Sequence, residues 1–128
     1  MKRVTGIGGI FFKANDPEQL KAWYYEHLGI VPDNQGYVTF AWREKDDPDS
    51  IGFTAWSLFT KDTPYFAPSE APFMVNYRVA DLYGLLEQLR REGVRVDDKV
   101  EEYEYGRFGW IYDPEGNKIE LWEPPNGA

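Results

Sequence analysis

The sequence predicts an α+β fold of two repeated βαβββ modules, with curved sheets around a cleft and helices outside. Three observations predict it. Two segments carry a helix cap followed by apolar residues at helical spacing. The segments between them alternate or carry β-branched and aromatic residues in the manner of strands. The landmarks also recur at nearly one offset. Asp16 and Asp81 open the helices, 65 residues apart, and Gly29 and Gly93 close them, 64 apart. Asp47-Pro48 and Asp113-Pro114 are read as turns, and Trp56 and Trp122 follow them, both pairs 66 apart. A single domain, 1–128, then comprises a module at about 4–60, a connector at 61–71 and a module at 72–123.

Residues 6–13 read as a strand, because Ile7, Ile10, Phe11 and Phe12 are interleaved with the glycines. Asn15 or Asp16 caps the next helix, and Pro17 suits its first turn. Leu20, Trp23, Tyr24 and Leu28 form its apolar spacing. Strands are expected at 37–43 and 51–59, with a polar turn at 44–50. Residues 60–71 carry two prolines and no period, so they read as a connector. The second half opens with a strand at 73–79. A helix capped by Asp81 follows, with Leu82, Leu85, Leu86 and Leu89 on one face. Short strands are expected at 94–96, 100–105, 108–112 and 118–122, with a turn at 113–117 and an unstructured tail from Glu123.

Composition limits the function. Fourteen basic residues against 22 acidic ones give a formal charge of −8, and the pI is about 4.6. That balance argues against non-specific nucleic-acid binding and docking to anionic lipid, and it permits cationic small molecules as ligands. The absence of Cys excludes disulfides and thiolate chemistry, and His27 is the one histidine. No stretch approaches the roughly 20 apolar residues of a membrane span. The start lacks the apolar region of a signal peptide, so a cytoplasmic protein is expected. Aromatic residues make up 17% of the chain, including five Trp. They fill a core or line an organic-ligand pocket.

Two segments, Asp16 to Gly29 and Asp113 to Trp122, together with the repeat, resemble the vicinal oxygen chelate superfamily. That group holds glyoxalase I, extradiol dioxygenases, fosfomycin resistance transferases and bleomycin-binding proteins. The resemblance covers about residues 4–124. It implies a divalent-metal site on four inward strand positions. Here those positions hold Gly9, Met74, Glu120 and, by the internal repeat, Thr54, with Ser57 as the alternative register. Only Glu120 has a ligand-type side chain, so no cofactor is predicted and a divalent metal is disfavoured. His27 ends the first helix, outside the sheet, in a structural or solvated role. Glu101, Glu102 and Glu104 either supply other carboxylates or, as a charge run, form a solvated face.

Alternation from those four positions turns further residues into the cleft. They are Phe11 and Lys13; Gly52 and Trp56; Asn76 and Arg78; and Lys118 and Trp122. Trp110 is favoured as inward in its strand, against the alternative face of Arg107, Gly109 and Ile111. Lys13 lies near where glutathione-using relatives carry a basic residue. The expected ligand site therefore comprises Phe11, Lys13, Thr54, Trp56, Met74, Asn76, Arg78, Trp110 and Trp122. Glu120 is either ion-paired to Lys13 or Arg78, or is a ligand contact or general base. The leading expectation is a metal-free homodimer that binds a small aromatic or cationic molecule, like the bleomycin-binding branch. The alternatives are a metal-dependent lyase, isomerase or dioxygenase with an altered site, a metal-free enzyme using Glu120 as base, and an interaction module without a ligand.

Overall fold

In the computed structural model, which describes residues 2–125, caps fix both helices. The Asp16 carboxylate accepts from the Gln19 backbone N–H at 3.2 Å and starts α1, Pro17–Leu28. Gly29 ends α1 at φ 66°, a left-handed conformation that favours glycine. Asp81 accepts from the Gly84 N–H at 3.1 Å and starts α2, Leu82–Arg91; Gly93 follows at φ 82°.

The strands are β1 (Val4–Ala14), β2 (Val38–Glu44), β3 (Asp47–Thr60), β4 (Phe73–Val79), β5 (Arg95–Tyr103), β6 (Gly106–Tyr112) and β7 (Lys118–Glu123). They form one sheet of seven strands in the order β2-β3-β1-β4-β7-β6-β5. β1 and β4 pair antiparallel at its centre. Outward from each lies a parallel neighbour, β3 or β7, and then an antiparallel one, β2 or β6.

Four sequence expectations need correction. Among the described residues the first half has two strands after its helix, so only the second half is βαβββ. The segment between α1 and β2 is a loop whose Asp33 carboxylate accepts from the N–H groups of Gln35 and Tyr37, both at 2.9 Å. Asp47-Pro48 begins β3 instead of marking a turn, because the β2–β3 reversal occupies residues 45–46. Asp113 does organise its turn, accepting from the N–H groups of Glu115 and Asn117. The two short strands expected at 94–96 and 100–105 are one strand, β5, with a register shift between Val96 and Val100. Of the expected tail, Glu123 belongs to β7, and 126–128 lie outside the described residues.

The core is asymmetric. Val79, Leu82, Leu85, Leu86, Leu89 and Leu121 are buried together between α2 and the sheet. Each such side chain is worth about 1.5–3 kcal/mol of transfer free energy. α1 buries no residue; its Tyr24 only leans on Phe12 and Trp56. A second buried cluster, Phe66, Met74 and Trp110, lies apart from α2 and its leucines. Neither helix of the described residues is long and apolar enough to cross a membrane.

Candidate functional site

The site grows from cross-strand register. Asn76 on β4 lies beside Glu120 on β7, and Glu120 lies beside Trp110 on β6. Partners in a ladder point to the same face, so the three side chains converge. Glu120 is 2% exposed. Its carboxylate accepts from Asn76 Nδ2 at 2.6 Å, from Trp110 Nε1 at 3.0 Å and from the Tyr65 phenol. All are neutral donors. The expected ion pair to Lys13 or Arg78 is not formed. Arg78 bonds Glu44 at 3.2 Å and lies over the Trp42 ring, while the Lys13 ammonium lies over Phe66. A buried carboxylate without a cation depends on such donors, since each replaces lost hydration.

Tyr65 and Phe66 come from the connector. Phe66 is fully buried, packed with Met74 and Trp110. Tyr65 stacks on Phe59 at 5.7 Å and stands edge-on to Trp110 at 6.4 Å. Burial, then the nearby Glu120 charge, raises the Tyr65 phenol well above the ordinary tyrosine range. Beside this group opens a pocket of about 470 Å³, walled by Phe59, Tyr65 and Trp110 and edged by Lys118, Asp97 and Glu101. That volume suits a small organic molecule.

Residues 6–121 match the family model for the Glyoxalase/Bleomycin resistance protein/Dioxygenase superfamily. The chain belongs to this superfamily. Among solved structures, a variant of Streptomyces coelicolor methylmalonyl-CoA epimerase in complex with 2-nitronate-propionyl-CoA is similar, with TM-score 0.68 and 18% identity over 95% of this chain and 99% of that one. Methylmalonyl-CoA epimerase from Mycobacterium tuberculosis gives TM-score 0.64 and 22% identity over 94% and 89%. A superfamily member from Vibrio splendidus 12B01 gives 0.57 and 8% over 91% and 97%. At these identities the likeness is one of fold. No curated protein matches the chain.

The metal positions implied for this superfamily do not fit a divalent ion here. Gly9 has no side chain, and Met74 offers a fully buried thioether. The Thr54 hydroxyl donates to the Ile7 carbonyl and accepts from Trp42 Nε1 at 2.8 Å. Glu120 alone offers a carboxylate, with three of its roughly four acceptor positions filled as described. Among the described residues no three His, Asp or Glu side chains are grouped to hold an ion.

The other expected site residues divide. Phe11, edge-on to Phe59 at 5.7 Å, joins Lys13, Met74, Asn76, Trp110 and Glu120 around the connector aromatics. Trp122 stacks on Phe108 and donates to the Tyr105 carbonyl at 2.8 Å, farther along β7. Thr54 and Arg78 gather at Trp42. Trp56 is misplaced by the sequence reading. It is level with Ile10 in the ladder and packs 5.0 Å from Tyr24, on the α1 side of the sheet. His27 is exposed beside Trp23, and Glu102 pairs with Arg107 on the surface. The reading missed Tyr65, Phe66 and Phe59. The available signal was an aromatic pair, Tyr65-Phe66, set just after Pro64 in an otherwise polar connector.

Proposed function

We propose that this protein is a metal-free small-molecule binding protein that receives an aromatic ligand against Phe59, Tyr65 and Trp110. One observation carries the reading. Both Glu120 oxygens are occupied by Tyr65, Asn76 and Trp110, directly beside a ring-walled pocket of about 470 Å³. A carboxylate with three of its roughly four acceptor positions filled by the pocket's own neutral donors is held as part of the pocket wall. Contact with the partly exposed Phe59 and Tyr65 rings, backed by Trp110, supplies the affinity. A second copy of the chain is part of the reading. Phe40, Ile51 and Phe53 are exposed on the β2–β3 ribbon, and β2 is a sheet edge. Both features favour pairing.

Elemental analysis of protein purified without a chelator or affinity tag, followed by calorimetric titration with uncharged 2-naphthamide, tests the proposal. The expected result is no stoichiometric metal, and binding weakened about tenfold by Phe59→Ala, the loss of one aromatic pair. Stoichiometric zinc, nickel, manganese or iron would overturn it, as would absence of binding. Light scattering should give a dimer mass; a monomer would remove the second copy.

A further inference from the structure

The Lys118 ammonium stands over the faces of both Tyr65 and Trp110, 5.6 Å from each ring centroid. It gives one N–H to the Tyr65 carbonyl at 2.9 Å. An ammonium has three such donors. Among the described residues no carboxylate lies within 4.0 Å of Lys118.

The acids nearby are otherwise engaged. Asp97 accepts from the Lys99 N–H at 2.9 Å and the Tyr112 hydroxyl at 3.0 Å. Glu101 pairs with Lys99 at 3.4 Å. Glu120 is enclosed by its neutral donors. The pocket thus holds a cation with unused donors, and its carboxylates already have theirs. Lys118 is partly buried, and loss of hydration lowers its pKa below the ordinary lysine value. An anion brought to it would replace that lost hydration. A cationic ligand, by contrast, would compete with Lys118 for the Tyr65 and Trp110 faces.

We infer that Lys118 receives a carboxylate of the ligand, so that the pocket selects aromatic carboxylates over their uncharged counterparts. This rests on the aromatic pocket proposed above. The net charge of −8 works against approach of an anion. That field is screened over about 8 Å at physiological salt, whereas the Lys118 contact is direct.

Titration of 2-naphthoate and 2-naphthamide into the full chain and its Lys118→Met and Lys118→Arg variants, by calorimetry near neutral pH, tests this. The wild-type protein should bind the carboxylate about tenfold to hundredfold tighter than the amide, as a charge-assisted hydrogen bond would give. Lys118→Met should abolish the preference for the carboxylate over the amide, and Lys118→Arg should keep most of it. Thermal unfolding of each variant reports that the fold is intact. Equal affinities in the wild-type protein, or a preference that survives in Lys118→Met, overturn the carboxylate contact and leave the aromatic pocket standing. Binding of neither probe overturns both.

Discussion

The Tyr65 phenol donates to the Glu120 carboxylate across 55 positions of sequence, tying the connector between the two halves to the final strand. The same tyrosine is stacked on Phe59, nearly parallel at 3°. Ring and hydroxyl therefore do different work. The ring fills the pocket wall, and the hydroxyl gives a buried side chain one of the hydrogen bonds that water would otherwise supply.

Tyr65→Phe separates these roles, since it removes one oxygen and keeps the ring. Glu120 would retain Asn76 and Trp110 but lose its third donor. The variant should be less stable by about 1.5–3 kcal/mol, the range for a hydrogen bond to a charged group. Urea denaturation should show a lower midpoint at unchanged slope, because the surface exposed on unfolding is the same. An unchanged midpoint would show that the bond does not help hold the connector.

Alkaline stability should carry the signature of the same contact. The Tyr65 pKa is raised in the fold, chiefly by burial. Between the unfolded pKa of about 10 and the folded value, the native state holds a proton that the unfolded chain has released. Tyr65 thus contributes stability that is fully present below about pH 10 and is lost as pH rises further. Lys118 acts with the opposite sign. Its pKa is lowered by desolvation, so its contribution to stability rises with pH as the native ammonium gives up its proton first. Urea midpoints measured from about pH 9 to 11 should fall less steeply for Tyr65→Phe than for the wild-type protein. They should fall more steeply for Lys118→Met. Parallel curves would mean that neither group is perturbed as the structure indicates.

Much of this was legible because local rules and tertiary structure agree. Asp16 and Asp81 cap helices where their sequence context places them. The leucines of α2 face the sheet at the positions their spacing predicts. Alternation brought Asn76, Trp110 and Glu120 to one face because β4, β6 and β7 pair without a register shift there. The same rule failed for Trp56. Counting from Thr54 assumed that the repeat fixes the register of β3. The ladder instead sets Ala55 level with Gly9, and Ser57, the alternative register, level with Phe11. A one-residue difference in register exchanges the two faces of a strand. The connector could not be read from periodicity at all. Tyr65 and Phe66 are held by non-local contacts to Glu120, Trp110 and Met74, which leave no local pattern.

The glycines of β1 give a sharper test of the site's geometry. The β1–β4 ladder shifts register between Ile7 and Gly9. A Cβ at Gly8 would lie 2.3 Å from Asn76 Oδ1 and 3.0 Å from the Trp122 ring. Asn76 has little room to yield, since its Nδ2 is bound to Glu120. Gly8→Ala should therefore cost about 1–3 kcal/mol through overpacking and disturb Trp110 fluorescence through Asn76 and Glu120. Gly116→Ala is the control. Its Cβ would meet nothing within 4 Å, but φ is +84°, so a backbone penalty of about 1–2 kcal/mol is expected without an effect at the site. If both variants leave the tryptophan spectrum unchanged, Gly8 is not the close contact that the structure shows.

Acid stability should depend on a pair far from the pocket. Arg3, just before β1, bonds Glu92 at the end of α2, at 2.6 and 3.2 Å through its two terminal nitrogens. That guanidinium, helped by the Gln88 amide, holds the Glu92 pKa down at about 2. The unfolded value is about 4.3, so the native state keeps this carboxylate ionised after the unfolded chain has bound a proton. The contribution is fully present above the unfolded pKa and is lost as pH falls through the folded one. Glu92→Gln removes it at every pH above that window, so the variant's stability should fall less steeply than that of the wild-type protein between about pH 5 and 2. Arg3→Gln should flatten the profile in the same way, because the guanidinium is the main cause of the shift. Glu92 is exposed, so added salt should weaken the effect. Acid titrations of the three proteins that superimpose, or an effect insensitive to salt, would place the acid-sensitive groups elsewhere in the fold.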